Sequence, residues 1–82
     1  MSQNEPKSIL SALVAPRDYQ AQRQNLFPSP TSLEWYARQN RDRLIDAGAL
    51  LMHSGRWYVH AEKFDACVFA VGAERAKRQL VA

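Results

Sequence analysis

Residues 31–59 set a helical period directly against a strand period, and that junction constrains the fold more than any other feature of the chain. Leu33, Tyr36, Ala37, Asn40, Leu44 and Ala47 recur at three-and-four spacing, which predicts one long helix with a single buried face and Asn40 as its polar interruption. Thr31 and Glu34 fit a T-x-x-E capping box at its start, each side chain satisfying the other residue's free backbone amide. Gly48 marks its end, because glycine takes the left-handed conformation past a last turn without steric cost. Residues 49–60 then alternate as a half-buried hairpin does: Leu50 and Met52 share one face, and Trp57 and Val59 share the returning strand's face. Ser54 and Gly55 supply the turn, with Gly55 expected at positive φ and Arg56 at the tip. Trp57, the bulkiest apolar group of the hairpin, is expected to pack on the long helix.

Upstream, residues 15–25 predict a short helix with Pro16 at its first position, where a missing amide costs nothing, and Asp18 in the first turn, where the helix dipole favours it. Its apolar content is thin, so docking must hold it. Leu26 and Phe27 are expected to anchor its exit, and Pro28 and Pro30 turn the chain before the long helix. Two helices joined by a short rigid turn make a helix-turn-helix, whose second helix is the usual groove reader. Residues 1–8 are polar and aperiodic, as a mobile tail is. Ile9, Leu10, Leu13 and Val14 form an apolar patch that is either a strand added to the hairpin's sheet or a lead-in packed on the core.

Downstream, residues 61–71 predict a third helix entered directly from the hairpin, with Glu62 in its first turn and Phe64, Cys67, Val68 and Val71 as its core stripe. If that helix continues past Gly72, then Phe69, Ala73, Ala76 and Leu80 line a second face that a small core cannot also bury. Such a face is a candidate contact for a partner or a second copy, the plainer outcome being a frayed tail. The expected organisation is a flexible tail over residues 1–12, a winged helix-turn-helix domain over 13–72, mainly α with a small β-hairpin, and a basic C-terminal helical extension or tail over 73–82.

Length and composition narrow the function. Eighty-two residues suffice for one small domain, which disfavours catalysis in a deep cleft. The net charge of +3 and pI of about 9.4 are a mild excess that attracts polyanions. A single cysteine, Cys67, excludes an internal disulfide and fits a reducing cytoplasm. No stretch is apolar and long enough to span a membrane, and the N-terminus lacks the basic start of a signal peptide. The three glycines fall at separate structural stops, so there is no glycine-rich phosphate loop, and no nucleophile, base and orienting acid stand together. An enzyme is not expected, nor a cofactor. His53 and His60 would lie at opposite ends of the hairpin, roughly 13 Å apart at strand rise, and Cys67 is most simply a small core hydrophobe, so no metal site is expected either.

The succession LEWYARQNRDRLIDAGAL, HSGRWYVH and EKFDA resembles the small winged-helix proteins of the excisionase or recombination directionality type, found on prophages, plasmids and integrative elements. The likeness covers about residues 15–72. It implies that helix 32–46 enters a major groove, that the wing near Arg56 meets an adjacent backbone or minor groove, and that several copies bind neighbouring double-stranded DNA sites and bend them, alongside an integrase. On the helix, Arg38 faces outward, where a guanidinium fork reads guanine edges or clamps phosphate, the plain alternative being a solvated arginine. Thr31, Ser32, Trp35, Gln39 and Arg41 share the outward side: Ser32 with the first-turn amides suits a phosphate oxygen, Gln39 suits an adenine, and Trp35 either touches sugar or packs inward. Ser54, Gly55 and Arg56 form the wing contact, with Arg17 and Arg23 as further phosphate contacts. Some charge of Arg41 and Arg43 is expected to pair along the helix with Glu34, Asp42 and Asp46. The rival expectation is a protein-interaction adaptor that uses the wing and the Phe69-to-Leu80 face and never touches DNA.

Overall fold

The computed structural model of the chain describes residues 10–81, so most of the expected tail over residues 1–12, and Ile9 of the apolar patch, lie outside the described residues. The elements run β1 (Leu13–Val14), α1 (Pro16–Ala21), α2 (Pro30–Gln39), α3 (Arg41–Asp46), β2 (Leu50–His53), β3 (Arg56–His60) and α4 (Ala61–Val81). The protein is mainly helical with a small three-stranded antiparallel sheet in the order β1-β3-β2. Leu13 and Val14 therefore take the strand alternative, opposite His60 and Val59. Leu50 also lies opposite Val59, so Val14, Val59 and Leu50 form one apolar row across the sheet on the face that meets the helices.

Phe64 fills the centre of the core and is fully buried. Its ring lies 4.7 Å from Tyr19, 6.1 Å from Tyr36 and 6.4 Å from Phe27, at tilted and edge-on angles that suit aromatic quadrupoles. Cys67 and Val71 continue the stripe on α4, while Leu33 and Leu44 bring α2 and α3 onto it. The α4 stripe is thus the expected one. The short α1 is held as its thin apolar content requires, through fully buried Tyr19 and through Gln20, whose Nε2 donates to the Phe27 carbonyl at 2.7 Å. Phe27 anchors the exit, but Leu26 does not: it is 54% exposed in the turn after α1. Tyr36 has its hydroxyl buried with no hydrogen-bond partner among the described residues, and burial raises its pKa.

The expected single long helix is two. Asn40 leaves helical geometry at φ −117°, ψ 25°, and its side-chain amide donates to the Tyr36 carbonyl at 3.0 Å. Asparagine side chains compete for local backbone groups in this way, which is why they are poor helix-interior residues. The cap is corrected too. Helix α2 begins at Pro30, and the capping box joins Ser29 and Ser32, each backbone amide donating to the other's Oγ at 3.2 Å. A residue before proline is forced toward the extended region, which is the N-cap conformation, and proline is favoured at the first helical position, so the Ser29-Pro30 pair outcompetes Thr31 and Glu34. Ala47, expected on the buried face, is exposed in the turn after α3.

The stop at Gly48 is as expected. Gly48 has φ 76°, its amide donates to Ile45, and the Ala49 amide donates to the Leu44 carbonyl at 2.9 Å, the two bonds of a Schellman ending. Ala49 is then buried and its carbonyl accepts from the His60 amide, which fixes where the hairpin starts relative to the helix. In the hairpin turn both Ser54 (φ 54°) and Gly55 (φ 75°) are left-handed, the type I′ geometry whose twist matches the flanking strands. Helix α4 starts directly after β3, with His60 Nδ1 accepting from the Lys63 amide, and runs without a break through Gly72.

Candidate nucleic-acid interface

The structure pairs two arginines with carboxylates and leaves the other six, Arg75 and Arg78 on α4 included, without one among the described residues. Arg23 is engaged by Asp65 of α4 through two bonds of 2.6 Å, Nε to Oδ1 and Nη2 to Oδ2, and its guanidinium lies 4.2 Å from the Tyr19 ring centre. Tyr19 donates its hydroxyl to the same Oδ1 at 2.7 Å. The Arg23 bonds, with the tyrosine's added, hold the Asp65 carboxyl below its ordinary pKa, while burial and Asp65 push the Tyr19 hydroxyl up. Arg43 is engaged the same way by Glu74, at 2.8 and 2.6 Å, and the Glu74 pKa is lowered by those bonds. The pairs expected along the helix with Glu34, Asp42 and Asp46 do not form among the described residues; the partner lies 31 positions away on α4.

The other group has no carboxylate partner among the described residues. Arg17, Arg38 and Arg41 are exposed and line one open groove between α1, α2 and the sheet, and Arg56 is exposed at the ribbon tip opposite His53. Arg41 sits 5.8 Å from the Trp57 ring centre, so a cation at the start of α3 spans to the ribbon. Trp57, expected to pack on the long helix, is 36% exposed and lines the same groove as Leu33, Ala37 and Arg38 of α2.

Thr31, Trp35, Arg38 and Gln39 are exposed together on the outer side of α2. Trp35 therefore takes the outward of its two alternatives. Ser32 is different: its hydroxyl donates to the Ser29 carbonyl at 2.6 Å and accepts the Ser29 amide, so its proton is already engaged within the cap. Arg23 is likewise held away from an incoming anion by Asp65. Ser54 and Gly55 are exposed at the turn beside Arg56. The ion pairs that sequence reasoning missed span 42 and 31 positions, and no local spacing signals them.

Among the described residues, no group of three or more His, Cys, Asp or Glu side chains could hold a metal ion, and no helix is long and apolar enough to cross a membrane. Cys67 is a buried free thiol. The arrangement can place several fixed positive charges and an exposed indole against an extended polyanion. No family model matches the chain, and no curated protein or solved structure matches it.

Proposed function

We propose that this chain is a winged helix-turn-helix protein that binds duplex DNA, with α2 and α3 as the groove-reading unit and the β2–β3 ribbon as the wing. The observation that carries the reading is where the unpaired arginines lie: Arg23 and Arg43 are neutralised by α4 carboxylates, whereas four of the six arginines without such partners, Arg17, Arg38, Arg41 and Arg56, lie around α2 and the ribbon, the others being Arg75 and Arg78 on α4. Phosphate contacts from Arg17, Arg41 and Arg56 set position on the duplex, and Arg38, Gln39 and Trp35 address base edges or sugar. The element order and the β1-β3-β2 sheet support the winged reading. Within it, the chain acts as an accessory factor of the excisionase type, several copies bending DNA so that an integrase can act, or as a regulator encoded beside one. A module this small has limited affinity, so cooperative occupation of neighbouring sites belongs to the proposal.

Fluorescence anisotropy with duplexes recovered by selection from a random pool tests it. Arg38→Ala is expected to weaken the selected site by about 1–3 kcal/mol and relax its sequence preference, while Arg56→Ala weakens all sequences alike. If neither variant alters duplex binding, the groove assignment fails.

One observation favours the adaptor reading as a second. Phe69 is 79% and Leu80 87% exposed on the uninterrupted α4, an apolar face pointing away from the core. That reading requires Phe69→Ser to abolish partner capture and leave duplex affinity unchanged.

A further inference from the structure

The groove that Arg17, Arg38 and Arg41 line is open and about 710 Å³ in volume, within the size range of small-molecule sites. Its apolar lining is Pro16, Ala21, Pro30 and Ala37 over the buried core residues Leu33, Leu50 and Val59, and the Trp57 ring forms a wall beside Arg41. Three arginines and a single carboxylate residue, Glu34, are among its lining residues. An apolar lining with an excess of arginines is complementary to an anion with an apolar body, and a purely hydrated anion such as phosphate would leave the apolar lining uncovered.

A second feature points the same way. Gln20 lines the groove yet is only 6% exposed. Its amide orientation is fixed because the Phe27 carbonyl can only accept, which places Nε2 on that oxygen at 2.7 Å. Its Oε1 receives no hydrogen bond from the described residues and is not one of their buried unpartnered atoms, so solvent reaches it. An acceptor that solvent reaches already hydrogen-bonds water, so an N–H or O–H group of an occupant exchanges one bond for another there and fixes orientation.

We infer that this groove is a binding site for a small organic anion: one or two aromatic rings, a carboxylate or sulfonate held by Arg38, Arg41 and Arg17, and a hydrogen-bond donor for Gln20 Oε1. Because Arg38 and Arg41 also belong to the proposed DNA face, the occupant competes with duplex. That competition rests on the DNA reading; occupancy of the groove does not.

The probe is anilinonaphthalene sulfonate, which carries fused rings, an anion and an N–H, with the neutral phenylnaphthylamine as its uncharged counterpart. The folded wild-type chain is titrated by fluorescence without DNA, and its far-ultraviolet circular dichroism is followed throughout. Saturable binding of one sulfonate probe per chain is expected, with the neutral probe weaker by about tenfold, the scale of one charge-assisted hydrogen bond. Arg41→Ala is expected to weaken the anionic probe by a similar factor and leave the neutral one unchanged, and Ala37→Trp, which fills the groove, to remove both. Equal binding of the two probes to wild-type chain, or indifference of the anionic probe to Arg41→Ala, overturns the site. Competition against labelled duplex is then measured: a chain that binds the probe in the groove but no duplex retains the site and loses the DNA reading.

Discussion

Arg23 and Arg43, which meet α4, and the arginines around α2 and the ribbon are the same residue type in opposite states; Arg75 and Arg78 on α4 itself are unpaired as well. Arg23 and Arg43 each meet an α4 carboxylate through two bonds of 2.6 to 2.8 Å, and they clamp α4 to the turn after α1 and to α3. Arg17, Arg38, Arg41 and Arg56 meet no carboxylate among the described residues, although Glu34 stands one helical turn before Arg38 and Asp42 beside Arg41. Charge near a surface is therefore not one property. At Arg23 and Arg43 it is internal geometry, closed by partners far away in sequence; on the α2 side, as at Arg75 and Arg78 late in α4, it is left to be met from outside. Composition, with its net +3, cannot tell these apart.

The sharpest way to break the comparison is to remove what both sides share. Phe64 packs against rings from α1, from the turn before α2, and from α2 itself, so Phe64→Ala is expected to cost about 3–5 kcal/mol in chemical denaturation and to abolish duplex binding through unfolding. A variant that unfolds and yet binds would place the contacts in a disordered chain, outside both regions.

A smaller effect sharpens it. Asp65→Asn removes the charge opposite Arg23 and weakens the Tyr19 bond; with the carboxylate about half exposed, a loss of about 1 kcal/mol is expected and duplex affinity stays unchanged. The pH dependence has a definite sign. The folded Asp65 pKa is lowered by Arg23, so its contribution is fully present above the ordinary carboxylate value of about 3.9 and is lost as acid takes the pH down through the folded value. Asp65→Asn should therefore flatten part of the acid limb of stability, read by thermal melting between neutral and acid pH. An acid limb identical to wild type would mean that the pair is not formed in solution.

The smallest expected effect is at Glu74→Gln, which releases the exposed Arg43 guanidinium. Stability changes little, as for surface pairs generally. Nonspecific duplex affinity should rise slightly, since one more arginine is then unmatched. A fall would show that the α4 clamp positions α3 for binding.

How much of this was legible follows from how far apart the determining residues lie. Gly48, the Ser54-Gly55 turn and the stripe of Phe64, Cys67 and Val71 were readable because turn chemistry and helical period are local. The start of α2 was misread because T-x-x-E satisfies the same pattern as the true box, and only the conformational restriction that Pro30 puts on Ser29 decides between them. Asn40 was seen as the odd polar residue but read as an interruption of a face; its amide bond to Tyr36 interrupts the helix itself. On the candidate site, the outward residues Arg38, Gln39 and Trp35 were legible from helical phase. The engagement of Arg23 and Arg43 was not, since Asp65 and Glu74 have no fixed spacing to them, and neither was Gln20, a polar residue that the fold buries next to Tyr19.

The most direct test of the partition is the salt dependence of duplex affinity, measured by anisotropy for wild type, for a variant with Arg17, Arg38, Arg41 and Arg56 changed to glutamine, and for Arg43→Gln. Three unmatched arginines on phosphates, with Arg38 on a base edge, give a log-log slope of roughly −3, at about −0.9 per contact; the fourfold variant should fall toward zero and Arg43→Gln should keep the wild-type slope. A wild-type slope near zero, or a slope lost with Arg43 and kept without the other four, would contradict it.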